Sequence, residues 1–174
     1  VPALLGETFA LSLTLVFAAA AVSKFQAFGA WTGVVQNFRV LPRALVVPVA
    51  WVLPPLEALL AAALLVTALR PLAAACAALL LVVFSAAIAA NLRRGRTEID
   101  CGCFRSDLRQ SLSAALLVRN ALLFFMALAL LPAGGDTVRT ILEHAIAACA
   151  ALCLFLCYLS VGLLFRPVSR VLPA

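Results

Sequence analysis

Five apolar runs constrain this chain more than any other feature: residues 3–23, 44–69, 72–92, 111–131 and 137–165. Each reaches the ~20 residues that a helix needs to cross the hydrocarbon core of a bilayer. Inside lipid the backbone must satisfy its own hydrogen bonds, so such runs fold as helices. The composition agrees, with 66% hydrophobic and 11% charged residues, where a soluble domain has about half and a quarter. The reading is an all-α integral membrane protein of about five spans, a single membrane domain over 1–174 with a four-helix bundle core. The net charge of +6 does not point to nucleic acid, because the cations flank apolar runs and suit lipid headgroups. The first run lacks a basic start and exceeds a typical signal core, so it is expected to be the first span.

Between the first two runs, Phe25, Phe28, Trp31, Val35 and Phe38 recur every three or four residues, the period of one helical face. Gln26, Gln36, Asn37 and Arg39 fall largely on other faces. This pattern predicts an amphipathic helix lying in the membrane interface. Lys24, at the end of the first span, is expected to reach the headgroups, and Glu7 near its start is expected at the interface. Pro54-Pro55 fall inside the second span and should kink it.

The polar segment 93–110 interrupts the apolar pattern and carries Asp100-Cys101-Gly102-Cys103-Phe104 among Arg93, Arg94, Arg96, Arg105 and Arg109. Two cysteines separated by one glycine close a disulfide only through a strained turn. Strain raises the reduction potential, which suits a catalytic or relay disulfide. The nearby cations favour the attacking thiolate, while Asp100 opposes it. Capture of a thiophilic metal ion by the same thiolates is a second reading, and two incidental loop cysteines a third.

Two further groups lie at membrane depth. Glu57 and Arg119 each sit two to three turns inside a span, where an ionisable residue is costly and by default functional or paired. A Glu57–Arg119 ion pair is therefore expected, either structural or relaying protons, with Asn91 and Asn120 completing a polar network. Cys149, Cys153 and Cys157 recur every four residues in the last run, and Cys76 lies in the third. They read as a thiol ladder across the membrane or, more simply, as small packing residues. His144 is given no role.

With five spans, Lys24, Arg39, Arg43, the arginines around the two cysteines, Arg166 and Arg170 share one side. The opposite side carries only Arg70 and Arg139. The excess of positive charge predicts that the Cys-Gly-Cys segment faces the cytoplasm, a compartment that keeps dithiols reduced.

Several short stretches, taken together, resemble the MauE family of methylamine-utilisation membrane proteins, grouped with DoxX-like redox-associated proteins. They are Lys24, Phe38-Arg39-Val40-Leu41-Pro42, Leu53-Pro54-Pro55-Leu56-Glu57, Asn91-Leu92-Arg93-Arg94-Gly95, Asp100-Cys101-Gly102-Cys103-Phe104 and Arg119-Asn120. Arg105 stands where the family pattern usually has glycine. The resemblance implies a multi-pass protein of the bacterial cytoplasmic membrane, acting as a thiol–disulfide oxidoreductase in the biogenesis of methylamine dehydrogenase or a similar exported, disulfide-containing protein. It implies a thioredoxin-like, MauD-like partner. At fold level the arrangement is also similar to vitamin K epoxide reductase bundles, which couple thiols to a quinone. On this reading Cys101, Cys103, Glu57 and Arg119 are the candidate catalytic residues and a quinone the candidate cofactor. The alternative is a thiophilic metal-ion transporter that uses cysteine ligands.

Overall fold

The computed structural model describes residues 2–95, 113–132 and 140–164. These residues form α-helices joined by short turns, with no strand among them. The helices are α1 (Pro2–Gln26), α2 (Phe28–Phe38), α3 (Arg43–Leu65), α4 (Arg70–Arg93), α5 (Ala114–Ala129) and α6 (Ile141–Leu164). A 3-10 turn, Thr67–Leu69, joins α3 to α4. The Cys101–Cys103 segment lies outside the described residues.

Four stretches are long and apolar enough to cross a membrane: 3–26, 43–65, 67–93 and 141–160. The fourth expected span is shorter: the 16 helical residues of α5 reach only about 24 Å at 1.5 Å per residue. The last span begins later than expected, at Ile141, because Thr140 caps it. Thr140 Oγ1 accepts the Glu143 N–H at 3.3 Å, and Glu143 Oε2 accepts the Thr140 N–H at 3.0 Å. This reciprocal pairing satisfies two donors and fixes a helix start.

The expected four-helix core is present and is built from α1, α3, α4 and α5. It joins Ala10, Leu13 and Phe17 to Leu60, Ala61 and Leu64, to Ala73, Ala74, Ala77 and Ala78, and to Leu123 and Ala127. Small residues at these contacts let the backbones approach closely, which is how helices gain packing energy where lipid offers no hydrophobic drive. Helix α6 packs on the outside of α1, burying Ala147 and Ala151 and laying Phe155 and Tyr158 against the core.

Helix α2 is the amphipathic helix expected between the first two spans. Trp31 and Val35 are buried against Val46 and Ala50 of α3, while Gln36 and Asn37 are exposed. Arg39 ends it in the left-handed conformation at φ 46°, and its carbonyl accepts Arg94 Nη1 at 3.2 Å. That bond ties the α2–α3 turn to the end of α4.

Pro54 and Pro55 lie inside a helix that continues through them. Pro54 has no N–H, so the carbonyl of Ala50, four residues earlier, loses its helical donor. Trp31 Nε1 donates to that carbonyl at 3.1 Å. The proline therefore creates the anchor point that holds α2 against α3.

Candidate functional site

One end of the bundle gathers the end of α1, the first half of α3, the second half of α4 and the first half of α5. Between them and α2 lies a cavity of about 530 Å³. Its walls are largely aliphatic and aromatic, including Val34, Val35 and Phe38 of α2, Val49 and Leu53 of α3, and Phe84 and Ala87 of α4. Its polar lining comes from Lys24, Glu57, Arg119 and Asn120, with Tyr158 of α6 closing one side.

Lys24 corrects an expectation. It does not reach the headgroups: it is 3% exposed, and its Nζ lies 2.7 Å from both Glu57 carboxylate oxygens. The ammonium also sits 4.9 Å from the Trp31 ring centroid and 5.9 Å from that of Phe84. The indole and phenyl faces add favourable electrostatics to a cation removed from water. Glu57, 1% exposed, is thus an intramembrane carboxylate paired with a cation 33 residues earlier in the chain. Neither charge would be tolerable there without such a partner.

Glu57 and Arg119 line the same cavity, as their depths led one to expect. The Arg119 guanidinium lies over the Tyr158 ring at 4.5 Å, so α6 contributes to the site through a residue that sequence reasoning passed over. Asn120 Nδ2 reaches Ser85 Oγ at 3.4 Å, linking α5 to α4. Asn91 is fully buried and donates to the Ala87 carbonyl at 3.0 Å. Its Oδ1 has no hydrogen-bond partner among the described residues.

The other expectations separate from the site. Cys76, Cys149, Cys153 and Cys157 are reduced and exposed on the outer surface of the bundle, so they do not form a path through its interior. Among the described residues no three His, Cys, Asp or Glu side chains gather as a metal site. Glu7, near the start of α1, is buried, and its Oε2 accepts Arg70 Nη1 at 3.0 Å at the opposite end of the bundle. Arg70 Nε also donates to the Leu64 carbonyl at 3.1 Å, which satisfies one of the orphaned carbonyls ending α3.

The cavity opens the question of kinship, because its polar residues are those of the stretches singled out in the sequence. The model of the methylamine utilisation protein MauE matches residues 2–133. The chain belongs to the MauE family. It is 48% identical over 155 residues to the methylamine utilization protein MauE of Paracoccus denitrificans, covering 87% of this chain and 82% of that one. The MauE of Paracoccus versutus is 47% identical over 157 residues, with the same coverage. That of Methylorubrum extorquens is 49% identical over 109 residues, 63% of this chain and 59% of the relative. No solved structure matches the chain. These relatives are named for methylamine utilisation, and the long apolar helices make this chain a multi-pass membrane protein. The family match extends through α5, so Lys24, Trp31, Glu57, Arg119 and Asn120 all fall within the family region, whereas Tyr158 lies beyond the family model.

Proposed function

We propose that this protein is a membrane thiol–disulfide oxidoreductase of the bacterial cytoplasmic membrane, with Cys101 and Cys103 as its exchanging pair. It supports disulfide formation in methylamine dehydrogenase or a similar exported protein, working with a thioredoxin-like, MauD-like partner. Toward substrate oxidation a partner thiolate attacks the Cys101–Cys103 disulfide and the partner's second thiol resolves the mixed disulfide. In the reverse direction one cysteine of this pair attacks the partner disulfide and the other resolves it. Run toward substrate oxidation, the same exchange leaves this protein's pair as a dithiol, which must be reoxidised within the membrane.

The observation that carries this reading is the placement of a buried, charged cavity at the end of the bundle from which the dithiol segment departs. That segment leaves α4 after Gly95 and returns to α5 before Ser113, and the second half of α4 and the first half of α5 wall the cavity. Glu57 and Arg119 are assigned to charge and proton handling in the exchange. Lys24 joins them as the residue that fixes the carboxylate.

Replacement of Cys101 or Cys103 by serine is expected to abolish oxidation of the thioredoxin-like partner in cells. Unchanged partner oxidation in both variants would overturn the reading. Labelling both cysteines with a membrane-impermeant thiol reagent on intact cells assigns their side. Labelling is expected if the pair oxidises exported proteins directly. Protection would mean that the pair faces the cytoplasm, as the arginine distribution predicts, and that electrons cross the membrane through this protein.

A further inference from the structure

We infer that the cavity between α2 and the bundle holds one acyl chain of an anionic phospholipid, whose phosphate rests on the arginines at the cavity's mouth. This goes beyond the thiol–disulfide reading and does not depend on it.

The interior selects a chain. Its polar groups already have partners: Lys24 and Glu57 hold each other, Arg119 lies over Tyr158, and Asn120 reaches Ser85. What remains for an occupant is aliphatic and aromatic wall, from Val16 and Leu81 inside the bundle to Val40 and Leu41 in the α2–α3 turn. On α4 this wall runs from Leu81 to Ala90, about 14 Å at 1.5 Å per residue, so the cavity is long as well as apolar. Its volume of about 530 Å³ lies in the range that holds an organic ligand. Val40 and Val83 line it and are 45% and 55% exposed, so among the described residues it is open to its surroundings. Apolar space takes water poorly, and a void would leave its walls without contacts. An acyl chain from the surrounding bilayer matches both its shape and its lining.

The mouth selects the headgroup. Arg39 and Arg43 flank the α2–α3 turn, Arg93 and Arg94 end α4, and all of them are exposed. Arg94 Nη1 donates to the Arg39 carbonyl at 3.2 Å, which holds the two groups side by side. The described carboxylates are engaged elsewhere: Glu57 with Lys24, Glu7 with Arg70 at the far end, and Glu143 at the cap of α6. In the adjoining segment Arg96, Arg105 and Arg109 are matched in number by Glu98, Asp100 and Asp107, so this end keeps its positive excess. A guanidinium offers paired N–H donors that fit phosphate oxygens. This is also the end that the arginine distribution turns to the cytoplasm, where the leaflet carries the anionic lipids.

Trp31 lines the cavity and serves as the probe, while Trp51, 63% exposed on the outside of α3, is removed as Trp51→Phe. The purified full chain with that change is titrated in detergent with phosphatidylglycerol bearing a dibrominated acyl chain, since bromine quenches indole emission at short range. Saturating quenching is expected, at least about tenfold tighter than with phosphatidylcholine bearing the same chain. Arg43→Gln with Arg93→Gln, which spares the Arg94–Arg39 bond, is expected to bring the two lipids within about threefold of each other. Narrowing the cavity, by Ala87→Phe on α4 or Val34→Phe on α2, is expected to weaken both lipids about tenfold or more. Circular dichroism checks that each variant keeps its helices, and two narrowing variants guard against either one misfolding.

Quenching that is linear, or equal for the two lipids in the unaltered cavity, would overturn the inference. So would binding that both narrowing variants leave unchanged. Displacement of the lipid by glycerol phosphate at equal concentration would make the arginines a site for soluble anions. Displacement by decylubiquinone at equal concentration would give the cavity to a flat ring, and either result overturns the assignment. A Cys101→Ser/Cys103→Ser chain is expected to bind the lipid as tightly as the native pair does, so lipid binding and dithiol exchange can fail independently.

Discussion

Among the described residues, two buried ion pairs, Glu7–Arg70 and Lys24–Glu57, lie one near each end of the bundle, and their surroundings differ. Glu7–Arg70 is packed into the turn between α3 and α4, where Arg70 also holds the Leu64 carbonyl. Both of its charges serve contacts within the fold. Lys24–Glu57 instead lines a cavity, flanked by aromatic rings and by Arg119 and Asn120. The same device, an acid and a base shielded from lipid, thus closes one end of the molecule and equips the other. The difference shows that burial of a charge pair at membrane depth does not by itself mark function. What distinguishes the second pair is open volume beside it and its place at the end of the bundle to which the Cys101–Cys103 segment is joined.

That contrast can be broken or sharpened by substitution. The largest effect is expected from the dithiol: Cys101→Ser or Cys103→Ser should abolish partner oxidation, whereas Glu7→Gln at the far end should leave it measurable in the same cell assay. Next come the pairs themselves. Removing one member, by Lys24→Met or Arg70→Met, takes the paired cation from a buried carboxylate and should cost about 3–5 kcal/mol in a denaturant titration. The double replacements then diverge. Lys24→Met with Glu57→Leu should recover most of the stability but not partner oxidation. Arg70→Met with Glu7→Leu should recover oxidation while still lacking about 1 kcal/mol, for the lost bond to the Leu64 carbonyl. Equal recovery of oxidation in both doubles would erase the distinction between the two ends.

Smaller effects test the walls. Trp31→Phe removes the donor to the Ala50 carbonyl that Pro54 leaves open, and should cost about 1–3 kcal/mol by unfolding. Restoring the helical donor with Pro54→Ala in the same chain should return part of that loss. The smallest change is expected at the outer face of α6. There, replacing Cys149, Cys153 and Cys157 together by alanine should alter stability by about 0.5 kcal/mol or less and leave partner oxidation intact. A large loss of oxidation in that variant would restore the thiol ladder as a route for electrons.

The relation of the sequence to this site is uneven, and the reason is physical. Length and hydropathy determine that the apolar runs become helices, because lipid leaves the backbone no other partner. The recurrence of Trp31 and Val35 determines which face of α2 is apolar. The depth of Glu57 and Arg119 along their runs marks them as residues that need company, and the Cys-Gly-Cys segment is legible as chemistry without any fold. What the sequence does not contain is azimuth. A helix that is apolar all round has almost no polar face to show which side turns inward, so the cysteines of α6 could be drawn as an interior ladder although packing turns them outward. For the same reason Lys24, one residue past an apolar run, reads as a headgroup anchor. Only the packing of α1 against α3 shows that it turns inward to Glu57. The cavity belongs wholly to the tertiary structure, since it exists where α2 bridges α1, α3 and α4, held by an indole that takes the carbonyl freed by Pro54.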